Sequence, residues 1–155
     1  MGVNMKKSRK KLMTLNYIGE IRTPFDETNS PRHADESLRA ESRINIFPEY
    51  RPGLKDLAKF KYIYVLFYFD RPHKKMSLIA HPPRLKGKEV GVFASRSPNR
   101  PNPIALSVVR LKRIENGALI TSAIDAYDCT PLIDIKPYFK SDDRKLKAND
   151  GWLKK

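Results

Sequence analysis

Residues 95–103 carry polar side chains of the kind that bind anions, on a backbone that proline stiffens. The segment holds three prolines in nine residues, together with Arg96, Arg100, Asn99 and Asn102. Guanidinium forks suit carboxylate or phosphate, and a pre-ordered loop loses little entropy when it binds a ligand. A rigid surface corner whose Asn side chains cap turns has the same composition. The segment therefore fits either an anion-binding loop or such a corner.

Residues 125–138 are the second candidate, with three carboxylates in ten residues between apolar positions. Asp128 could accept hydrogen bonds from an amine or from ribose hydroxyls. Asp134 and Lys136 are two positions apart and would share one face of a strand. The alternatives are an Asp that starts a turn and a surface ion pair of little energetic value. The acids lack the spacing of metal ligands, so we expect no metal site.

The charge of the chain favours a polyanionic partner. The formal net charge is +14, and residues 71–113 hold 11 bases and one acid, Glu89. Such a concentration of bases favours nucleic acid through phosphate contacts and counterion release. A solvated, highly charged surface is the alternative reading.

The elements that must position these segments are mostly strands. Apolar patterns predict strands over residues 15–22, 43–47, 62–69, 89–94, 104–114 and 118–126. Residues 52–60 have helical spacing, residues 28–42 and 73–88 are predicted loops, and Asn116-Gly117 predicts a hairpin turn. No G-x-G-x-x-G follows a strand, which argues against a Rossmann-type methyltransferase. We predict a mainly β, compact single-domain, β-barrel-like fold with few short helices.

Three regions are predicted along the chain: a basic flexible N-terminal segment (1–14), the barrel domain (15–140) and a polar tail (141–155). No apolar run approaches the ~18 residues of a membrane helix. We therefore expect a cytoplasmic protein without membrane contact.

Both motif segments resemble signatures of the TsaA-like (TrmO) family of tRNA N6-adenosine methyltransferases. The family pattern G-V-F-A-x-R-S-P-x-R-P-N-P-I-G is matched at residues 91–94, 96–98 and 100–104. The pattern D-G-T-P-x-x-D-I-K-P-Y is matched at Asp128, 130–131 and 134–138. Shorter matches lie at residues 18–25, 31–32, 53–69 and 82–85. The resemblance covers residues 16–138, nearly the whole predicted domain.

This resemblance implies a homodimer that binds S-adenosyl-L-methionine and methylates N6 of the (threonylcarbamoyl)adenosine next to the anticodon of tRNA. The residues implied in cofactor binding are Pro31, Arg32, His33, Arg96, Leu106, Tyr127, Asp128, Cys129 and Thr130. Asp128 is the expected catalytic residue, which would orient the N6 amine. The expected RNA contacts are Arg71, Lys74, Lys75, Arg84, Lys86, Lys88, Arg100, Asn102 and Lys136.

The chain departs from the family pattern at four positions. Cys129 and Ala105 replace glycines, His81 replaces an arginine, and Asp70 replaces a histidine. Two other function classes stay open: a non-catalytic basic RNA-binding module, and a methyltransferase that acts on another substrate. The first would bind tRNA without the cofactor, and the second would bind the cofactor without tRNA activity.

Overall fold

The computed structural model describes residues 12–71 and 74–153. Its strands are β1 (Gly19–Arg22), β2 (Glu41–Ile46), β3 (Tyr62–Tyr68), β4 (Ile79–Ala80), β5 (Val90–Gly91), β6 (Ile104–Glu115), β7 (Ala118–Ser122) and β8 (Thr130–Pro137). One α-helix covers Lys140–Asp143, and short 3₁₀ helices cover Pro48–Leu54, Leu57–Lys59, Pro83–Leu85 and Val92–Ala94.

Six of these strands form a closed antiparallel barrel in the order β1-β2-β7-β6-β3-β8. The barrel closes where β1 pairs with β8, with Gly19 opposite Leu132. Strands β4 and β5 form a separate two-stranded sheet. The prediction of a mainly β, barrel-like fold with few short helices is confirmed.

Alternation along β3 and β6 separates the core from the outer surface. Ile63, Val65 and Phe67 are fully buried, whereas the intervening residues of β3 face outwards. Strand β6 alternates in the same way, so that Leu106 and Val108 are exposed between buried neighbours. Burying a large apolar side chain stabilises a fold by about 1.5–3 kcal/mol, so these inward positions fix the register of both strands.

Gly19 lies where β1 is squeezed between its two neighbours. A Cβ atom at this position would clash with the carbonyl oxygen of Asn45 on β2 and would lie 3.2 Å from Leu132 Cδ2 on β8. Glycine is therefore required for β1 to close the barrel.

The predicted helix over residues 52–60 is wrong. The structure has two 3₁₀ helices in this region, Pro48–Leu54 and Leu57–Lys59. Pro52 lies inside the first and lacks a backbone donor, and Asp56 between them adopts a left-handed conformation with φ of 66°. Both features interrupt an α-helix.

Several predicted strand boundaries are also corrected. The strand predicted over 15–22 is only β1, the one over 89–94 is β5 followed by a 3₁₀ helix, and the one over 118–126 ends at Ser122. Strand β2 begins at Glu41, inside the predicted loop 28–42. Strand β8 was not predicted, because its prolines and three polar residues hide the apolar pattern.

The predicted division at residues 14 and 140 stays a prediction. Most of the basic N-terminal segment, residues 1–11, lies outside the described residues, as do Pro72 and the first residue of the predicted loop 73–88, His73. None of the helices in the described ranges is long and apolar enough to cross a membrane.

Candidate functional site

The carboxylate of Asp128 is held by the end of β1. Arg22 Nε donates to Oδ1 at 2.8 Å and Arg22 Nη2 donates to Oδ2 at 3.1 Å, while the backbone N–H of Thr23 donates to Oδ1 at 3.1 Å. The Arg22 hydrogen bond is the largest cause that lowers the pKa of Asp128. Burial opposes it, and the Thr23 amide adds a smaller lowering effect. The carboxylate is therefore ionised at neutral pH. Each oxygen has two donors, but the second donor to Oδ2 is only the weak Cys129 thiol at 3.6 Å, so Oδ2 keeps the greater capacity to accept another hydrogen bond.

Cys129 occupies the left-handed position of the turn, with φ of 62°. Its Sγ lies 3.6 Å from Asp128 Oδ2. Partial desolvation and the neighbouring carboxylate raise the pKa of the thiol, so it stays neutral at pH 7. A neutral thiol is a poor nucleophile. The family's glycine at this position suits the same backbone conformation without strain.

Arg71 joins the turn formed by residues 127–130 from the other side. Its Nη2 donates to the carbonyl oxygen of Asp128 at 2.7 Å and to Thr130 Oγ1 at 3.3 Å. Its Cζ lies 5.7 Å from the centroid of the Tyr127 ring. Burial is the main cause that raises the pKa of Tyr127, and the Arg71 charge opposes it. Asp70, in place of the family's histidine, accepts a hydrogen bond from Arg71 Nε at 3.2 Å.

From the sequence, Arg71 is predicted only as an RNA contact. The structure places it against the turn predicted to hold the cofactor, 57 residues further along the chain. Arg22 and Thr23 were missed altogether as partners of Asp128. No local pattern could have found these contacts, because each depends on the pairing of distant strands.

The loop that contains Pro31, Arg32 and His33 lies beside the segment leading to this turn. The Asp128 N–H donates to the Phe25 carbonyl at 2.9 Å, and Asp35 N–H donates to the Ala123 carbonyl at 3.3 Å. The loop is thereby attached at both ends to residues 123–128. Pro31 is half-buried, while Arg32 and His33 are exposed.

The proline-rich loop 95–103 is held by its own polar groups and by residues 74–77. Arg100 Nη1 donates to the Ser95 carbonyl at 3.2 Å, and Asn99 accepts from the backbone amides of Ser77 and Lys74 at 3.0 and 3.3 Å. A cleft of about 220 Å³ lies between residues 74–76 and 98–103. Arg100 thus contributes to the loop itself as well as facing this cleft.

Arg96 and Asn102 are both exposed on this loop. Across the residues that the structure describes, the Arg96 guanidinium has no hydrogen bond and no ion pair. It is the free cation of the loop that a carboxylate or phosphate ligand could bind.

Leu106 and Lys136 lie apart from the 127–130 turn. Leu106 is 56% exposed on the outer face of β6, opposite Leu66 of β3, and β3 separates β6 from β8. Lys136 pairs with Asp134 at 2.7 Å, six residues or about 20 Å along β8 from Thr130. Asp134 and Lys136 thus form the predicted ion pair. Ala105, which replaces the family's glycine, is buried in the core without disturbing β6.

The predicted RNA-binding bases of the loop after β3 are exposed. Within the described part of the chain, none of them forms an ion pair: Lys74, Lys75, Arg84, Lys86 and Lys88. His81 is exposed in the same region. By contrast, Lys112 and Arg113 on β6 both pair with Glu41. The bases that flank residues 95–103 in the chain therefore carry unpaired positive charge, as do other exposed bases of the described ranges such as Lys61 and Arg110.

A second cleft of about 490 Å³ opens beside Asp128 on the outer face of β1, β2 and β7. Arg22, Thr23, Arg43 and Ile120 contribute to its walls. Asp128 can therefore be approached from this cleft. Among residues 12–71 and 74–153, no three His, Cys, Asp or Glu side chains are grouped as metal ligands.

The fold is a small closed antiparallel barrel and not a Rossmann-type sheet. Its candidate site combines an ionised carboxylate, which lies on a turn between two arginines, with an arginine, unpaired among the described residues, on a proline-rich loop. These features are those of a ligand-binding β-barrel. The family described as "tRNA-methyltransferase O N-terminal domain" matches residues 20–144. The chain belongs to this family, and the resemblance found in the sequence is confirmed.

Relatives and solved structures agree with that membership. The chain is 40% identical over 139 residues to a probable S-adenosyl-L-methionine-binding protein of Pyrococcus abyssi, covering 89% of this chain and 74% of that protein. It is 41% identical over 129 residues to the human tRNA (adenine(37)-N6)-methyltransferase, and the match covers 78% of this chain and 29% of the human protein. A crystal structure of TrmO from Pseudomonas aeruginosa superposes with a TM-score of 0.76 at 31% identity, covering 93% and 64%.

The relatives differ in length. The chain is 38% identical to a probable S-adenosyl-L-methionine-binding protein of Archaeoglobus fulgidus. The matched region covers 92% of this chain but only 38% of that protein. The shared part is the barrel, and several relatives contain further sequence.

Proposed function

We propose that this protein is an S-adenosyl-L-methionine-dependent methyltransferase that methylates N6 of an adenosine in tRNA. The observation that carries the proposal is the arrangement around Asp128, where Arg22 fixes the carboxylate and Arg71 fixes the backbone of the same turn. Family membership and the names of the Pyrococcus and human relatives support it.

The side chains of this turn and of the 95–103 loop fit the chemistry of the cofactor. The Tyr127 ring offers stacking, and the Arg96 guanidinium is a partner for the carboxylate of the methionine moiety. Thr130 is buried, and its hydroxyl supports the site by accepting from Arg71. When bound, the cofactor supplies an activated methyl group on a sulfonium. Pro31, Arg32, His33 and Cys129 complete the residues that we assign to its binding. Leu106, which the sequence also predicted there, lies apart from the turn on the outer face of β6.

Asp128 orients the acceptor amine. Methyl transfer by in-line displacement depends mainly on alignment of the two reacting atoms. The lone pair of adenine N6 is delocalised into the ring, and an N6–H···Oδ2 hydrogen bond to Asp128 orients the amine. Because Arg22 keeps this carboxylate ionised at neutral pH, both its oxygens are acceptors. The lowered pKa makes it a weak base, so the proton released from N6 passes to water and is not retained by Asp128.

The basic loops hold the RNA. Lys74, Lys75, Arg84, Lys86 and Lys88 are exposed beside the 95–103 loop, where they suit the phosphates of a folded RNA. Arg100 and Asn102 lie at that loop, whereas Lys136 is paired with Asp134 on β8 and is assigned to the RNA from the sequence alone. We assign the adenosine next to the anticodon, with its threonylcarbamoyl group, as the acceptor on the basis of the family resemblance.

We also propose a homodimer, as the resemblance implies. The exposed apolar residues Leu106 and Val108 on β6, 56% and 43% accessible, support an interface on this face of the barrel. Sedimentation of the wild type and of Val108→Lys tests this: a dimer weakened by the charge is expected. A wild type that is monomeric at all concentrations contradicts the dimer.

Calorimetric titration with S-adenosyl-L-methionine, followed by methylation of tRNA and mass spectrometry of its nucleosides, tests the function. We expect about one cofactor per subunit, binding lost in Arg96→Ala and retained in Arg144→Ala, an exposed arginine of the tail. Methylation only of tRNA that carries threonylcarbamoyladenosine supports the finer assignment. Methylation of both forms limits the substrate to tRNA adenosine.

The two alternatives give different results. A protein that binds tRNA but not the cofactor is a non-catalytic RNA-binding module. Cofactor binding without methylation of any tRNA points to another acceptor. Either outcome overturns the proposed function.

A further inference from the structure

The tail of the chain returns to the loop that carries Arg96. Trp152 Nε1 donates a hydrogen bond of 2.7 Å to the carbonyl oxygen of Ala94. Trp152 and Leu153 are half-buried, whereas residues 144–151 are exposed. The indole N–H is the only polar group of tryptophan, and here it is used on this one carbonyl.

A tight turn aims the indole at Ala94. Gly151 has a φ of +56°, its N–H donates to Asn149 Oδ1 at 3.3 Å, and the Leu153 N–H donates to the Asp150 carbonyl at 2.9 Å. Glycine adopts this left-handed conformation without strain. The position of Trp152 is therefore set by the local sequence and not by chance contact of an extended tail.

Ala94 immediately precedes the candidate binding loop, residues 95–103. It ends the 3₁₀ helix Val92–Ala94 and lies two residues before Arg96. Ser95 caps this helix, with its N–H and Oγ donating to the Val92 carbonyl at 3.1 and 2.8 Å. The other hydrogen bonds that hold the start of the loop come from nearby in the chain, whereas Trp152 is 58 residues away.

We propose that Trp152 is a positioning residue for the Arg96 loop. Because the Arg96 guanidinium has no partner among the described residues, its direction depends on the backbone that carries it. Fixing the Ala94 carbonyl orders that backbone before the ligand arrives and lowers the entropy lost on binding. The inference rests on the proposed function for the identity of the ligand. Trp152 lies beyond residue 144, where the family match ends.

Hydrogen exchange of the whole chain without cofactor tests the contact directly. Trp152→Phe keeps the ring and removes the donor, and Leu146→Ala, at an 80% exposed position of the same tail, is the matched control. The reporters are the amides of Ser97, Asn99 and Arg100, which are hydrogen-bonded inside the loop. We expect about fivefold faster exchange in Trp152→Phe only, the effect of losing one neutral hydrogen bond.

Kinetics separate positioning from general stability. The KM for S-adenosyl-L-methionine is expected to rise about fivefold in Trp152→Phe, with kcat, the KM for tRNA and the unfolding midpoint unchanged. Gly151→Ala, which disfavours the turn that aims the indole, is expected to shift exchange and KM in the same direction. This second variant keeps the test decisive if Trp152→Phe folds poorly.

The two proposals fail separately. A wild type that binds no cofactor overturns the proposed function, while the exchange experiment still reports on the loop. Wild-type exchange and wild-type KM in both Trp152→Phe and Gly151→Ala overturn the positioning role. A fall in the unfolding midpoint with equal loss of kcat toward every substrate also overturns it, because Trp152 would then be only structural.

Discussion

Arg22 and Asp128, 106 residues apart, are joined by two hydrogen bonds of 2.8 and 3.1 Å between one guanidinium and one carboxylate. The pair brings the end of β1 onto the turn before β8, at the seam where the barrel closes. Asp128 therefore has a fixed direction before any ligand binds. The same arrangement ties the candidate site to the closure of the fold.

Replacing Arg22 is expected to weaken cofactor binding through Asp128. Arg22→Ala removes both hydrogen bonds, and Arg22→Lys keeps the charge but loses the fork geometry. We expect about fivefold weaker binding of S-adenosyl-L-methionine by calorimetry in Arg22→Ala and an intermediate loss in Arg22→Lys. Lys59→Ala, which breaks an exposed ion pair with Asp56 outside this cleft, is the control. Equal affinities of Arg22→Ala and Lys59→Ala contradict the prediction.

The Asp128 carboxylate makes stability depend on acid pH. Its pKa is lower in the folded state, chiefly through Arg22, so its stabilising contribution is fully present above about pH 4 and is lost as pH falls through the folded-state pKa. We expect the free energy of unfolding of Asp128→Asn to approach that of the wild type as pH falls from 6 towards 3. Urea denaturation at several pH values measures this. A difference that stays constant with pH speaks against the linkage.

Cys129→Gly is expected to stabilise the protein. The residue has a φ of 62°, a conformation that costs a side-chain-bearing residue about 1–2 kcal/mol in general, partly offset by the greater freedom of glycine in the unfolded chain. A rise in melting temperature of about 2–4 °C follows for a chain of this size. Cys129→Ala keeps the strained backbone and should show no rise. If both variants melt alike, the turn is not strained.

We expect tRNA binding to weaken as salt concentration rises, and particular lysines of the basic loops to account for part of that dependence. Each lysine that neutralises a phosphate contributes about 0.7–0.9 to the slope of log affinity against log salt concentration. Lys86→Ala combined with Lys88→Ala is expected to reduce the slope by about 1.4–1.8. Fluorescence anisotropy with labelled tRNA at several salt concentrations measures it. Lys112→Ala, paired with Glu41, is the control, and equal slopes in both variants would place the RNA elsewhere.

Local pattern and motif order were sufficient for much of the fold. The continuous apolar run of β3 and the alternation of β6 predicted two barrel strands, because a strand exposes successive side chains on opposite faces. Asn116-Gly117 predicted the β6–β7 hairpin, where both residues have positive φ. The strand-rich pattern predicted the barrel-like class, the composition of two segments marked the candidate site, and the family resemblance agreed with both.

Strand β8 and the helix over residues 52–60 show where local pattern fails. Strand β8 contains Pro131 and Pro137 and becomes a strand because β1 and β3 pair with it. In residues 52–60 the apolar spacing was helical, but Pro52 and the left-handed Asp56 decided the backbone. Pairing with β1 and β3 made a strand where the local pattern predicted none. Backbone sterics prevented an α-helix where the local pattern predicted one.

The sequence by itself determined the strand-rich class, the basic surface and the two motif segments, since each is a property of composition or of residues close in the chain. Only the tertiary structure decided that Arg22 holds Asp128, that Arg71 faces the Tyr127 ring and that Trp152 reaches Ala94. These contacts join residues 56 to 106 positions apart. Barrel closure brings the first two pairs together, and the return of the tail brings the third pair together. Such long-range contacts leave no local signal in the sequence.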